Sequence, residues 1–274
     1  MYSSSHEEAE LFVTWYSTAG FRIETGGRVF LIDPYLSRNA EARPALPFGP
    51  EGVTEGDEIF LSHGHFDHMA DVPQITHQTG AKVYCSAEAA KALRQQGVAD
   101  AQLVAVSDGD SFDFGSYRAQ CFHSTHARFD LLLIVRAFVR AVPSLLFNTR
   151  LFSRLRRWPQ GQVLSWRFTL TAENDRVAHH FGSAGCTEEE LDRLARLEPP
   201  DVLMFPLQGH SRICRIATHV VEQLKPRLVI PHHYDDFYPP FSQQVDIAPF
   251  VEAVGRLSPP VEVVELPVCE SLVL

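Results

Sequence analysis

Apolar positions in the first half of the chain fall into short β-rich runs separated by turn residues. Leu11 to Trp15, Phe21 to Glu24 and Val29 to Ile32 read as strands, broken by Gly20 and by a Gly26-Gly27 pair that suits a hairpin. A brief apolar run at Ile59 to Leu61 ends in SHGHFDHMAD. Pro73 to Thr79 then predicts a short helix stopped by Gly80, and Lys82 to Cys85 a strand. Ser86 can N-cap a helix running to about Gln96, with Gly97 past its end. Leu103 to Val106 and Tyr117 to Phe122 complete this part as strands.

The pattern resumes near Val163. VLSWRFTL and RVAHHFGSAG read as strands, and Thr187 with Glu190 forms a capping-box signature opening a helix through Leu197. Val202 to Phe205 predicts a strand, Ala217 to Leu224 a helix, and Leu228 to Ile230 a strand feeding PHHYDD. Strands alternating with helices predict a layered α/β architecture. Between the two parts, Arg128 to Trp158 carries seven arginines (128, 136, 140, 150, 154, 156, 157) against the single acid Asp130. Arg136/Arg140 and Arg150/Arg154/Arg157 recur at helical spacing among apolar runs, with Pro143 between them. A cationic, amphipathic helical insertion over residues 128–160 is the expectation, inside a single domain spanning 1–274.

The 274 residues are 45% hydrophobic and 21% charged, which excludes a disordered or fibrous chain. A formal charge of −10 argues against a nucleic-acid partner despite the basic insertion. Five scattered cysteines without a C-x-x-C pair argue against a disulfide framework. MYSSSHEEAELF lacks the basic and apolar regions of a secretion signal, so a cytoplasmic location, with membrane association through the insertion, is expected. No G-x-S-x-G turn, Walker loop or dinucleotide glycine fingerprint is present.

The strongest chemical signal is His63-Gly64-His65-Phe66-Asp67-His68, three imidazoles and a carboxylate on one tight loop after a strand. Neutral imidazole with carboxylate suits zinc, and also manganese or iron(II). H-x-H-x-D-H after an apolar strand resembles the signature of the metallo-β-lactamase superfamily. GFRIETGGRVFLIDPYLS upstream and LVIPHHYDDF near the end are similar to the branch of the ascorbate-6-phosphate lactonases and N-acyl-phosphatidylethanolamine phospholipase D enzymes. The resemblance covers about residues 11–125 and 163–270 and implies an αββα sandwich with one or two Zn²⁺ ions (Mn²⁺ or Fe²⁺ as alternatives) at one edge. It implies that His63 and His65 hold one metal and Asp67 and His68 the other. The next ligand matches His123, with His126 as its rival, and the last His233 in preference to His232. Asp33, in Ile32-Asp33-Pro34, matches an aspartate that would orient a ligand imidazole; a turn-forming role is the alternative.

One departure stands out. The resemblance leads one to expect a bridging aspartate in a Gly-Asp-Thr-Gly turn, but the chain reads Gly182-Ser183-Ala184-Gly185, with Cys186 an alternative ligand under a shifted alignment. His210 follows a strand as cleft loops do and is a candidate substrate contact; His6, His77 and His219 read as surface or helix residues, and at most one of His179 and His180 can face the cleft. The implied reaction is hydrolysis by metal-bound hydroxide, with Asp67 as a proton acceptor, on a phosphodiester, ester or lactone. Arginines suit an anionic group and the apolar runs an acyl chain, so a small-molecule or lipid-like anionic substrate is expected. Through the insertion, a membrane surface or a second copy of the chain is a further candidate partner. The competing reading is a catalytically impaired metal-binding or interaction protein of the same fold.

Overall fold

The computed structural model describes residues 10–135 and 157–274. The cationic helices expected from sequence lie, from 136 to 156, outside the described residues; residues 131–135 are helical. Two seven-stranded sheets face each other. In spatial order the first holds β14 (Ser271–Val273), β1 (Phe12–Ser17), β2 (Gly20–Thr25), β3 (Arg28–Ile32), β4 (Glu58–Phe60), β5 (Lys82–Cys85) and β6 (Leu103–Ala105). The second holds β13 (Glu262–Val263), β12 (Leu228–His232), β11 (Val202–Pro206), β10 (Arg176–Phe181), β9 (Val163–Leu170), β8 (Arg118–Ser124) and β7 (Ser111–Asp113).

Strands β3 to β6 run parallel, as do β10 to β13, while the hairpins β1–β2–β3 and β7–β8–β9–β10 are antiparallel. Aromatic rings fill the space between the sheets: Trp15, Phe21, Phe30, Phe60, Trp166 and Phe168 are buried there with Met204 and Ile230. The outer face of the first sheet is covered by α1 (Phe66–Met69), α2 (Val72–Thr79) and α3 (Ala87–Gln95), through Met69, Val72, Ile75 and Leu93. The outer face of the second is covered by α4 (Glu188–Leu194), α5 (Ile213–Leu224) and α6 (Ala248–Val254), through Leu191, Val220, Val221 and Phe250. Four layers result, helices outside two sheets, as the αββα expectation has it.

Local signals act where they were read. Ser86 Oγ accepts from Ala89 N at the start of α3, and Thr187 with Glu190 closes a complete capping box on α4. Differences lie at ends and edges. Helix α5 starts at Ile213, ahead of the expected Ala217, and α4 stops at Leu194 rather than Leu197. Strand β12 runs on through Pro231 and His232, because both pair with β11. Strands β7, β13 and β14 and helix α6 gave no sequence signal strong enough to predict them.

Candidate metal centre

The loops leaving β3, β4, β8, β10 and β12 meet at one edge of the paired sheets, beyond the carboxyl ends of the parallel strands. Two groups of metal-ligand atoms assemble there. In each, the donor atoms lie within 4.8 Å of one another: His63, His65 and His126 form one group, Asp67, His68 and His233 the other. The groups adjoin, the His63 and His68 rings being 3.9 Å apart between centroids.

Glycines make the crowding feasible. A Cβ on Gly64 would stand 2.1 Å from the Pro159 carbonyl oxygen, so the loop at 63–68 can pass under residues 159–160 only with glycine there. A Cβ on Gly182 would meet Ser62 Oγ at 1.9 Å and Asp33 Oδ2 at 2.8 Å, so the turn after β10 rests directly on the residues behind the site.

Hydrogen bonds on the outer ring nitrogens orient the imidazoles. Ser62 N and Oγ both donate to Asp33, the backbone bond being 2.7 Å. His68 Nδ1 lies 2.9 Å from Asp33 Oδ2, and a proton on Nδ1 leaves the Nε2 lone pair facing Asp67 and His233. With its own proton spent on Asp33, Ser62 Oγ accepts from His63 Nδ1 at 3.0 Å, which frees His63 Nε2. His126 Nδ1 donates to the Ala127 carbonyl at 2.8 Å. Asp33 therefore has the geometry of an orienting residue, held in a left-handed conformation at φ 42°.

The electrostatics suit a cation. Burial and the neighbouring rings push the His63 imidazolium far below its ordinary range, and burial brings His65 down to about 4. Burial likewise lowers His126, so these three rings are neutral donors at pH 7. Burial opposes charge on Asp67, but His68, His233 and His65 outweigh it and hold the carboxyl well below the usual range. His63 Nε2 and His65 Nδ1 stand 3.1 Å apart. Neutral rings at that distance share an N–H···N bond or turn both lone pairs toward one divalent ion, and burial disfavours only the charged imidazolium. The donor set fits one divalent ion on three imidazoles and a second on two imidazoles and a carboxylate.

The structure departs from the expected ligands at one position. His126, not His123, joins His63 and His65. His123 lies inside β8, paired with Leu164; its side chain is half exposed with Nε2 3.5 Å from Glu190, and its backbone N donates to Asp108 at 2.7 Å. His126 lies just beyond the strand, where the chain turns inward. Cys186 belongs to neither group; it lines a neighbouring cavity, and burial with the nearby Glu190 raises its thiol. Ser183 Oγ instead accepts from Ala127 N at 2.9 Å and pins the residue after His126. Among the described residues, no carboxylate is common to the two groups.

His232 is fully buried behind the site, its ring stacked on His180 at 5.0 Å, and His179 turns away to Ser165 Oγ. His210 lines the cavity that opens from His126, where its Nδ1 lies 3.4 Å from Asp130 and accepts from Arg212 N. That cavity, about 1870 Å³, is also walled by Phe129, Leu133, Leu191 and Ile213, with Arg128 and Arg212 on its lining. Ser62 escaped the sequence reading; its one signal was its place between a strand and His63.

A model of the β-lactamase superfamily domain matches residues 28–234. A metal-dependent hydrolase of the UPF0173 group from Chelativorans sp. (strain BNC1) is 36% identical over 230 residues, 82% of this chain and 86% of that protein. One from Myxococcus xanthus (strain DK1622) is 30% identical over 227 residues, 82% of this chain and 71% of its own length. Among solved structures, Igni18, a metallo hydrolase from the archaeon Ignicoccus hospitalis, superposes with a TM-score of 0.71 at 20% identity, covering 97% of this chain and 98% of that one. With a domain match over most of its length and relatives of this similarity, the chain belongs to the β-lactamase superfamily, among its metal-dependent hydrolases.

Proposed function

We propose that this hydrolase acts on an ester, lactone or phosphodiester that is anionic at its head and apolar in its tail, with Zn²⁺ in both groups of ligands. The observation that carries the substrate class is the cavity opening from His126 between Phe129 and Leu133 on one side and Leu191 and Ile213 on the other. Its apolar walls suit an acyl or alkyl chain, while Arg128 and Arg212 offer charge to a phosphate or carboxylate. The outward-facing Leu131, Leu132 and Val135 suit contact with a lipid-like substrate.

His63, His65 and His126 would hold one ion, and Asp67, His68 and His233 the other. A divalent ion held there would bring the pKa of a water down to about 7 and polarise a carbonyl or phosphoryl oxygen. Asp67, kept ionised by His68 and His233, is the proton acceptor of the site. Asp33 and Ser62 hold the rings, and the buried positions of His63, Asp67, His68 and His233 keep bulk water from competing.

A graded series of p-nitrophenyl esters tests the tail. Each added methylene that enters the cavity contributes about 0.8 kcal/mol, so kcat/KM should rise roughly fourfold per CH₂ until the cavity is filled. Leu133→Asn should flatten that rise; a flat profile in the unmodified protein overturns the acyl-chain reading. A parallel panel of lactones and bis(p-nitrophenyl) phosphate assigns the bond cleaved.

A second reading has one observation in its favour: among the described residues, the two ligand groups share no carboxylate. In it the protein binds metal without turnover. Two bound ions with no hydrolysis of any panel member would favour it.

A further inference from the structure

We propose that Asp235 and its buried counter-ion Arg38 are positioning residues for His233, and through it for the second group of ligands. The inference rests on the metal-binding reading above and adds two residues that touch neither the ligand atoms nor the cavity.

His233 sits just past β12 at φ 56°, a left-handed conformation that costs a side-chain-bearing residue of order 1 kcal/mol or more. It is held there from the opposite sheet. The backbone N of His233 donates to the Thr18 carbonyl at 2.9 Å, in the turn between β1 and β2. Thr18 is itself left-handed, at φ 52°, an outlier for a β-branched residue. Its backbone N donates to Asp235 Oδ1 at 3.1 Å, and its carbonyl also accepts from Trp15 Nε1 at 3.0 Å. The circuit closes on itself: Asp235 fixes Thr18, and Thr18 fixes the residue two places before Asp235. The His233 ring then stands with Nε2 3.4 Å from Asp67 Oδ2, braced edge-on by Phe237.

Arg38 locks the circuit. From the loop after β3 it reaches Asp235 Oδ2 at 3.4 Å and the Asp236 carbonyl at 3.2 Å. The Arg38 and Asp235 side chains are 4% and 1% exposed. The Nε and Nη1 atoms of Arg38 are buried without a hydrogen-bond partner among the described residues. A buried ion pair of this kind returns little or no net stability, because desolvation offsets its attraction. What the pair does supply is a fixed point: it joins loops from both sheets directly behind one ligand and leaves the group around His63 untouched. The selectivity is the testable content.

The experiment titrates the metal-free full-length protein with Co²⁺, reading the visible absorption of each bound ion against a competing chelator, with Zn²⁺ stoichiometry by elemental analysis. Asp235→Ala should weaken the second ion by about 10–100-fold, the range typical of lost outer partners, and leave the first within twofold. Asp235→Asn keeps an acceptor for Thr18 N and should recover most of that loss. If Asp235→Ala does not fold, Arg38→Met carries the test and should weaken the second ion at least tenfold. Equal losses at both ions, no loss in any variant, or no recovery with Asn would overturn the positioning role. An unmodified protein that takes up no ion would overturn the metal reading and this inference with it. Two ions bound, with variants indistinguishable from it, would overturn this inference alone.

Discussion

Asp33 Oδ2 lies 2.9 Å from His68 Nδ1, although the two residues leave different strands, and the same carboxylate takes both protons of Ser62. One buried acid therefore sets the tautomer of His68 directly and that of His63 through Ser62. Asp33→Asn tests this without altering shape, since Asn also tolerates the left-handed backbone at this position. The amide cannot accept from Ser62 N, Ser62 Oγ and His68 Nδ1 at once. Metal affinity should fall about 10–100-fold, in contrast to the selective loss expected for Asp235, because ligands of both groups hang on Asp33. Competitive chelator titration checks it, and unchanged affinity for both ions would contradict the assignment.

His126 and His123 make a paired prediction. His126→Ala should cost the first ion more than the about 10–100-fold typical of an outer partner. His123→Ala should leave metal content within twofold, since the His123 side chain is half exposed and faces Glu190 at 3.5 Å. Elemental analysis of the two variants decides between them; the reverse outcome would restore His123 as the ligand.

Why one histidine of that pair was misplaced shows where sequence reading stops. The residues at 63–68 are contiguous, so their convergence needs only a strand and a tight loop. His233 was preferred to His232 through the family resemblance, which expects a histidine shortly after a strand such as Leu228 to Ile230. His123 and His126 sit on either side of a strand end, and the choice depends on where pairing between β8 and β9 stops, at Ser124 with Val163. Ser62, Ala127 and Arg38 act through contacts with residues distant in sequence or through backbone atoms, which leave no spacing to read. The sandwich itself was legible because its inner strands carry apolar runs bounded by turn residues, such as Val29 to Ile32 and Val202 to Phe205. Short edge strands such as β7 and β14 expose two of their three residues and carry no such pattern.

The outward side of β8 makes a pH prediction. Asp108 accepts two bonds from Arg193 and one from His123 N, and the Arg193 bonds are the main reason its carboxyl falls from 3.8 to about 2. A depressed carboxyl contributes stability that is complete above its unfolded value of 3.8 and lost as pH falls through about 2. Asp108 and Arg193 are 37% and 47% exposed, so solvent screening limits the pair to about 1 kcal/mol or less. Asp108→Asn should therefore lower unfolding free energy by that amount at pH 6, and the gap should close between pH 4 and pH 2. Urea unfolding across this range checks it; a gap that widens on acidification would contradict the argument.

The turn at 182–185 packs against the site, with Gly182 on Ser62 and Asp33 and Gly185 on the backbone of His126. Ser183 is its clasp, accepting from Ala127 N. Ser183→Ala should cost about 1 kcal/mol for the lost bond and loosen the first ion by letting His126 drift. Ser183→Asp asks the opposite question. An aspartate at this position can still accept from Ala127 N, and it brings a second negative charge to a centre whose six ligands include a single carboxylate. Two divalent ions held by five imidazoles and one carboxylate would repel each other, and an added carboxylate would offset part of that repulsion. Occupancy of the second ion should rise, and the two ions should bind with closer affinities. Elemental analysis at substoichiometric Zn²⁺ reads both effects; equal occupancy in variant and parent would mean that the side chain at 183 stays on Ala127 and faces neither ion.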